Sequence, residues 1–126
     1  MTQRSLVIVA HGSRAEAANA EFLQLVDKLK TQLTGSYAGV FGAFLELAEP
    51  SIPHAILEAA AEGRRGVDVY PMFFNCGKHV RRDIPGIVQA VMGENPALDI
   101  RLMDYFGSGS HLASAMAQHI VAQAEE

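Results

Sequence analysis

Four times along this chain a short run rich in Val, Ile, Leu or Phe is followed by a stretch with helical periodicity. That alternation limits the fold more than any other feature. The apolar runs are about Ser5–Ala10, Tyr37–Leu45, Val67–Phe74 and Leu98–Tyr105. After the first, Phe22, Leu25, Val26, Leu29 and Leu33 recur at the spacing of one helix face, and Gly35 marks the end. Pro50-Ser51 opens a second helix that runs to about Glu62, before Gly63. Ile84, Ile87, Val88, Val91 and Met92 define a third, closing near Gly93-Glu-Asn-Pro96. A fourth, alanine-rich, starts at about Ser108 with Ala113, Ala117, Ile120, Val121 and Ala124 on one stripe. Gly39 and Gly42 weaken the second strand. Strands alternating with helices build right-handed βαβ units. The expected fold class is therefore α/β: a three-layer α/β/α arrangement around a four-stranded, mainly parallel sheet covered on both faces.

Length and composition narrow the class. A chain of 126 residues, 49% of them hydrophobic, is expected to form a single domain over 1–126 with a sizeable core. A net charge of −4 argues against a nucleic-acid partner. No run of apolar residues is long enough to span a bilayer, so no membrane partner is expected. Met1-Thr-Gln-Arg4 leads into a short apolar run with no cleavage-site pattern, which argues against a signal peptide. A lone cysteine, Cys76, forms no internal disulfide and points to the reducing cytoplasm.

Chemistry concentrates where the apolar runs end. His11 follows the first, Glu46 the second and His79 the third. In a parallel α/β sheet these positions share the carboxyl edge, where ligands bind. Imidazole takes up a proton near neutral pH and also holds borderline transition metals. A plain structural reading stands beside each residue. His11 would cap the first helix, His79 would be an ordinary loop residue, and Glu46 would be solvated at a strand end, with Glu49 as the working acid instead. Cys76-x-x-His79 has metal-pair spacing but no second pair, so a small half-buried thiol is the simpler reading. His54, His111 and His119 read as solvated helix residues. Arg14, Lys78, Arg81 and Arg82 flank the histidines and suit carboxylates, or are ordinary helix-flank charge. Gly107-Ser-Gly-Ser110 is an anion loop or a plain turn. Met72, Phe73, Phe74 and Phe106 would line a cavity or an interface at this edge, with plain core as the alternative for the first two.

Three segments carry a family resemblance: Leu6-Val-Ile-Val-Ala-His-Gly-Ser-Arg14, Phe44-Leu-Glu-Leu-Ala-Glu-Pro-Ser-Ile52, and Val69-Tyr-Pro-Met-Phe-Phe-Asn-Cys-Gly-Lys-His-Val-Arg-Arg-Asp-Ile-Pro85. In this order they resemble the short form of the CbiX family, class II tetrapyrrole chelatases. Phe106-Gly-Ser-Gly-Ser-His-Leu112 matches less well, with Leu112 where the family tends to have Pro. The resemblance implies a chelatase-like fold and insertion of a divalent metal (Co²⁺, or Fe²⁺ or Ni²⁺) into sirohydrochlorin, with no nucleotide. It implies that His11 and His79 hold the metal and act catalytically, assisted by Glu46. Arg14, Arg81 and Arg82 would then meet the carboxylates of the macrocycle. Longer chelatases of this class resemble two copies of such a domain facing across a cleft, so a homodimer is expected. Phosphohistidine phosphatases also place His-Gly after a strand, but with Arg before the His, where this chain has Ala10. A non-catalytic metal- or tetrapyrrole-binding protein is the other reading.

Overall fold

The first strand explains the rest of the architecture. In the computed structural model, which describes residues 4–61 and 63–125, every residue of β1 (Ser5–Ala10) is buried. A strand buried on both faces belongs in the middle of a sheet covered by helices. β1 indeed pairs in parallel with β2 (Gly39–Phe44) on one side and β3 (Gly66–Pro71) on the other. β4 (Asp99–Leu102) adds parallel to β3, giving the order β2-β1-β3-β4. The sheet is thus wholly parallel.

Alternation along each strand divides the core in two. On one face, Leu6, Ile8, Ala10, Val40 and Phe44 pack against Phe22 and Val26 of α1 (Glu16–Gln32). On the other, Val7, Val9, Ala43, Val67, Val69 and Ile100 pack against α2 (Ile52–Ala59) and α3 (Ile84–Glu94). Ser51 caps α2, its side chain accepting from the His54 N–H. α4 (His111–Ala124) follows a 3₁₀ turn at Phe106–Ser108 and touches chiefly that turn.

This placement puts a crevice at the strand carboxyl ends. The chain leaving β1 turns to α1 on one face, and the chain leaving β3 turns to α3 on the other. Between those neighbouring strands the connections part company, the position where α/β sheets bind ligands.

Several expectations need correction. β2 begins at Gly39 rather than Tyr37, because Tyr37 turns toward Asp68 and gives it a hydrogen bond. β3 ends at Pro71, not Phe74; the Phe73 N–H bonds back to the Pro71 carbonyl and closes a turn. β4 is confined to Asp99–Leu102. α2 ends at Ala59, and the expected end at Glu62 lies outside the described residues, as does the Met1-Thr-Gln3 lead. The expected cover on both faces is incomplete. α1 lies chiefly over β2 and β1, and α4, which the alternation pattern assigned to the sheet, has no buried residue.

Candidate metal centre

His11 is fixed by the loop that follows β1. The Leu45 N–H bonds to the Ala10 carbonyl at 2.8 Å, and the Glu46 N–H bonds to the His11 carbonyl at 3.1 Å. The pairing of β1 with β2 is thereby carried past both strand ends. Gly12 makes this possible. Its φ of +98° suits glycine, and an added Cβ would stand 1.8 Å from the Glu46 carbonyl oxygen. The Ser13 backbone exchanges two hydrogen bonds with the Asn19 amide, tying the loop to α1.

His79 comes from a different device. Residues His79–Asp83 form a π-helical turn, in which the Ile84 N–H reaches back to the His79 carbonyl. Pro85 immediately follows, and its ring clashes with the carbonyl four residues back in an ordinary helix. Widening the turn before it is one solution, and such turns gather at functional sites. The turn also places Asp83 over the His79 ring, with Nδ1 and Oδ2 2.8 Å apart.

The three strand ends converge. The His11 and His79 rings lie with centroids 4.8 Å apart and planes tilted by 59°. Glu46 Oε2 stands 3.0 Å from His11 Nε2. One donor atom from each of His11, Glu46 and His79 falls within 4.8 Å of the others. All three side chains are about half exposed, so the group faces open space.

Hydrogen bonding decides which nitrogens are free. The Gly12 carbonyl, 2.9 Å from His11 Nδ1, only accepts, so that nitrogen carries the hydrogen. The Asp83 carboxylate makes the same demand of His79 Nδ1. In a neutral imidazole the free lone pair is then the one on Nε2. At His11 that lone pair faces a carboxylate oxygen at 3.0 Å, two acceptors in contact. Such a pair is stable only with a positive centre between or beside it, either a proton or a metal ion. Asp83, behind the His79 ring, fixes its orientation.

The remaining residues sort cleanly. Glu49 is exposed and lies outside the group, which includes Glu46. Cys76 is exposed and also outside it, not half-buried. His54 pairs loosely with Glu58, and His111 and His119 lie on α4 and are not members of the group. Arg14, Lys78, Arg81 and Arg82 are all exposed on the two loops that carry the histidines. Among the described residues none of them pairs with a carboxylate. Phe74 is exposed and stacks obliquely on Phe106, ring centroids 6.0 Å apart. Met72 and Phe73 pack against the two cores.

Sequence reasoning missed two acids. Asp83 was legible as the i+4 partner of His79. Asp68 interrupts the apolar run of β3 and is buried at the opposite, amino edge of the sheet. It accepts from Arg4 at 2.7 Å, Tyr37 at 2.6 Å and Arg101 at 2.9 Å. Burial raises its pKa, but the donors from Arg101, Tyr37 and Arg4 outweigh that and hold the carboxyl below its ordinary value. Burial, and then the bond to Asp68, push the Tyr37 hydroxyl up to about 12. This group locks the far end of the sheet and is remote from the histidines.

The chain is 33% identical over 84 residues to a sirohydrochlorin cobaltochelatase of Methanocaldococcus jannaschii, covering 67% of this chain and 57% of that protein. It spans a little over half the length of this relative and of the corresponding Methanococcus maripaludis enzyme. A Marinobacter aquaeolei VT8 protein described as a cobalamin biosynthesis CbiX protein superposes with a TM-score of 0.78 at 27% identity. The match covers 97% of this chain and 98% of that one. The sirohydrochlorin chelatase SirB of Bacillus subtilis subspecies spizizenii shares the fold, with a TM-score of 0.85 at 22% identity. Here 96% of this chain matches 51% of that one. The CbiX family profile matches residues 5–123, from the first strand into the last helix. The chain belongs to the CbiX family.

Proposed function

We propose that this chain, as one domain over residues 1–126, inserts a divalent metal ion into sirohydrochlorin. Co²⁺ is the first candidate, with Fe²⁺ and Ni²⁺ as alternatives. The observation that carries the reading is the contact between two acceptors, His11 Nε2 and Glu46 Oε2, beside the free Nε2 of His79. Two imidazoles and one carboxylate on an open edge hold an ion without enclosing it, as befits a metal that must be handed on.

Insertion replaces two pyrrole protons of the macrocycle by one M²⁺, and the two protons must be taken up. His11 and His79 hold the ion beside the ring. As the ion passes into the ring their Nε2 lone pairs are freed and accept the protons, with Glu46 assisting. Arg14, Arg81 and Arg82, unpaired with acids among the described residues, meet the carboxylates at the macrocycle rim. No nucleotide takes part.

The working form is a homodimer. This chain supplies one wall of a site, and it matches half of a longer chelatase. A planar macrocycle needs cover on both faces, and a two-fold dimer is the simplest source of a second wall. The lone cysteine suits the cytoplasm. Among the described residues no helix is long and apolar enough to cross a membrane.

The test is to mix protein, sirohydrochlorin and Co²⁺ and follow the absorbance of the macrocycle. Metallation faster than the protein-free control is expected. Tight binding of metal or macrocycle at the uncatalysed rate would assign a carrier instead.

A further inference from the structure

Leu47 breaks two rules of folding at once. Its φ of +69° lies in the left-handed region, where the Cβ of any residue but glycine crowds the following carbonyl. No other non-glycine residue among those described has a positive φ. Its side chain is also 53% exposed. Leu45 and Ala48, in the same loop, turn inward to one core and the other.

The loop demands the backbone turn but not the leucine. The Phe44 N–H bonds to the Pro50 carbonyl at 2.9 Å, and the Glu46 N–H to the His11 carbonyl at 3.1 Å, so the chain between must double back sharply. Glycine or asparagine makes such a turn with less strain. A leucine there is strained, stands half in water and joins neither core. Strain of this kind gathers at ligand clamps.

Topology gives Leu47 a counterpart. It lies three residues beyond the end of β2, and Phe74 lies three beyond the end of β3. β2 and β3 flank β1, whose end carries His11. Two strand spacings, about 10 Å, separate them. Phe74 is 66% exposed, and its backbone is held from behind. The Gly107 N–H bonds to the Phe73 carbonyl at 2.9 Å, and a Cβ on Gly107 would stand 1.8 Å from the Phe74 carbonyl oxygen. One exposed aliphatic and one exposed aromatic side chain thus bracket the strand that leads to His11. Each stands on a segment that also brings a metal donor, Glu46 or His79.

We propose that Leu47 and Phe74 seat the flat apolar centre of sirohydrochlorin against the metal centre, and that Leu47 keeps its strained conformation for this contact. The proposal deepens the chelatase reading above and rests on it. Arginines at the rim meet carboxylates that point outward from the ring, and they leave its tilt free. Transfer needs the pyrrole nitrogens held face-on to the Nε2 atoms of His11 and His79, since misplacement by about 1 Å costs about 100-fold in rate. Side chains packed on the ring face fix that tilt, Phe74 by offset stacking and Leu47 by apolar contact.

The test is Leu47→Asn, which keeps the left-handed turn and removes the apolar contact. It is expected to melt at or above its parent and to bind Co²⁺ as the parent does. It should bind metal-free sirohydrochlorin about five- to tenfold more weakly, the worth of burying the exposed half of a leucine. Absorbance titration of the macrocycle without metal reads that affinity. Phe74→Ala should show the same split, and Leu47→Met should stay close to the parent. Unchanged macrocycle affinity in Leu47→Asn overturns the proposal. So does a lower Tm, which assigns Leu47 to the fold, or a parallel fall in Co²⁺ affinity, which assigns it to the placement of Glu46. In each case a parent that metallates sirohydrochlorin faster than the protein-free control leaves the chelatase reading standing. A parent that does not bind the macrocycle overturns both.

Discussion

Replacing Gly12 by Ala tests whether the approach of two backbone segments builds the metal centre. At φ +98° a non-glycine residue is strained by about 1–2 kcal/mol. The larger effect is steric. The new Cβ would sit 1.8 Å from the Glu46 carbonyl oxygen, where ordinary contact begins near 3.4 Å, so the two loops must part by about 1.6 Å. That separation breaks the Glu46 N–H bond to the His11 carbonyl, at about 1 kcal/mol. Together the terms predict a loss of about 2–3 kcal/mol, or roughly 8–12 °C in Tm for a domain of this size. The site should suffer more than the fold. A displacement of more than an ångström opens the 3.0 Å contact between His11 and Glu46, and misplacement on that scale costs about 100-fold in rate. Thermal unfolding by circular dichroism, Co²⁺ titration and sirohydrochlorin metallation should be measured on the same preparation. A variant that melts with the parent, or binds Co²⁺ and turns over like it, would refute the reasoning.

Three further outcomes are expected. His11→Ala and His79→Ala should each lose most chelatase activity and shift Tm by only a few degrees, since both rings are about half exposed; parent rates at limiting metal in both would remove them from the site. Asp83→Asn should weaken Co²⁺ binding by about 10- to 100-fold through the His79 ring, and unchanged affinity would reduce Asp83 to a surface residue. The Asp68 group makes stability depend on pH at both extremes. Because the folded Asp68 carboxyl lies below its unfolded value of about 3.9, its contribution is present above that value and fades as pH falls through the folded one. Because the Tyr37 hydroxyl is pushed up to about 12, its contribution is present below about 10 and is lost as pH rises from there through about 12. Urea midpoints across pH should show both losses, and Tyr37→Phe should shrink the alkaline one, leaving the part owed to the Tyr70 hydroxyl, which burial also pushes up; an alkaline loss undiminished in Tyr37→Phe points elsewhere.

The elements were legible because burial and period agree. β1 is apolar from Leu6 to Ala10 and buried along its whole length, and only the centre of a parallel sheet explains such a strand. The positions of His11, Glu46 and His79 after strand ends followed from that alternation. Strand order did not, since nothing in the apolar runs says that β3 pairs with β1 rather than with β2. Gly42 misled for a physical reason. It weakens a strand in isolation, but here its missing Cβ lets Phe22, Leu23 and Val26 of α1 close on β2. The apolar stripe of α4 identified a helix without naming its partner, because periodicity reports a face and not what covers it. Asp68 was readable as an acid in an apolar strand, but its three donors come from Arg4, Tyr37 and Arg101, far apart in the chain.

The π-helical turn at His79–Asp83 makes chain length a functional variable. Deleting one residue from it would turn it into an ordinary helical turn and bring the Pro85 ring against the carbonyl four residues back, at a cost of about 3 kcal/mol, while Ile84, Val88 and Val91 would stay buried. The imidazole, however, would swing by about 100° around the helix axis and leave His11 and Glu46 without their third partner. Such a deletion variant would stay folded, melt below its parent and hold no Co²⁺. Among chains with this architecture, a single gap at this turn would therefore mark the loss of metal handling while the fold is inherited intact.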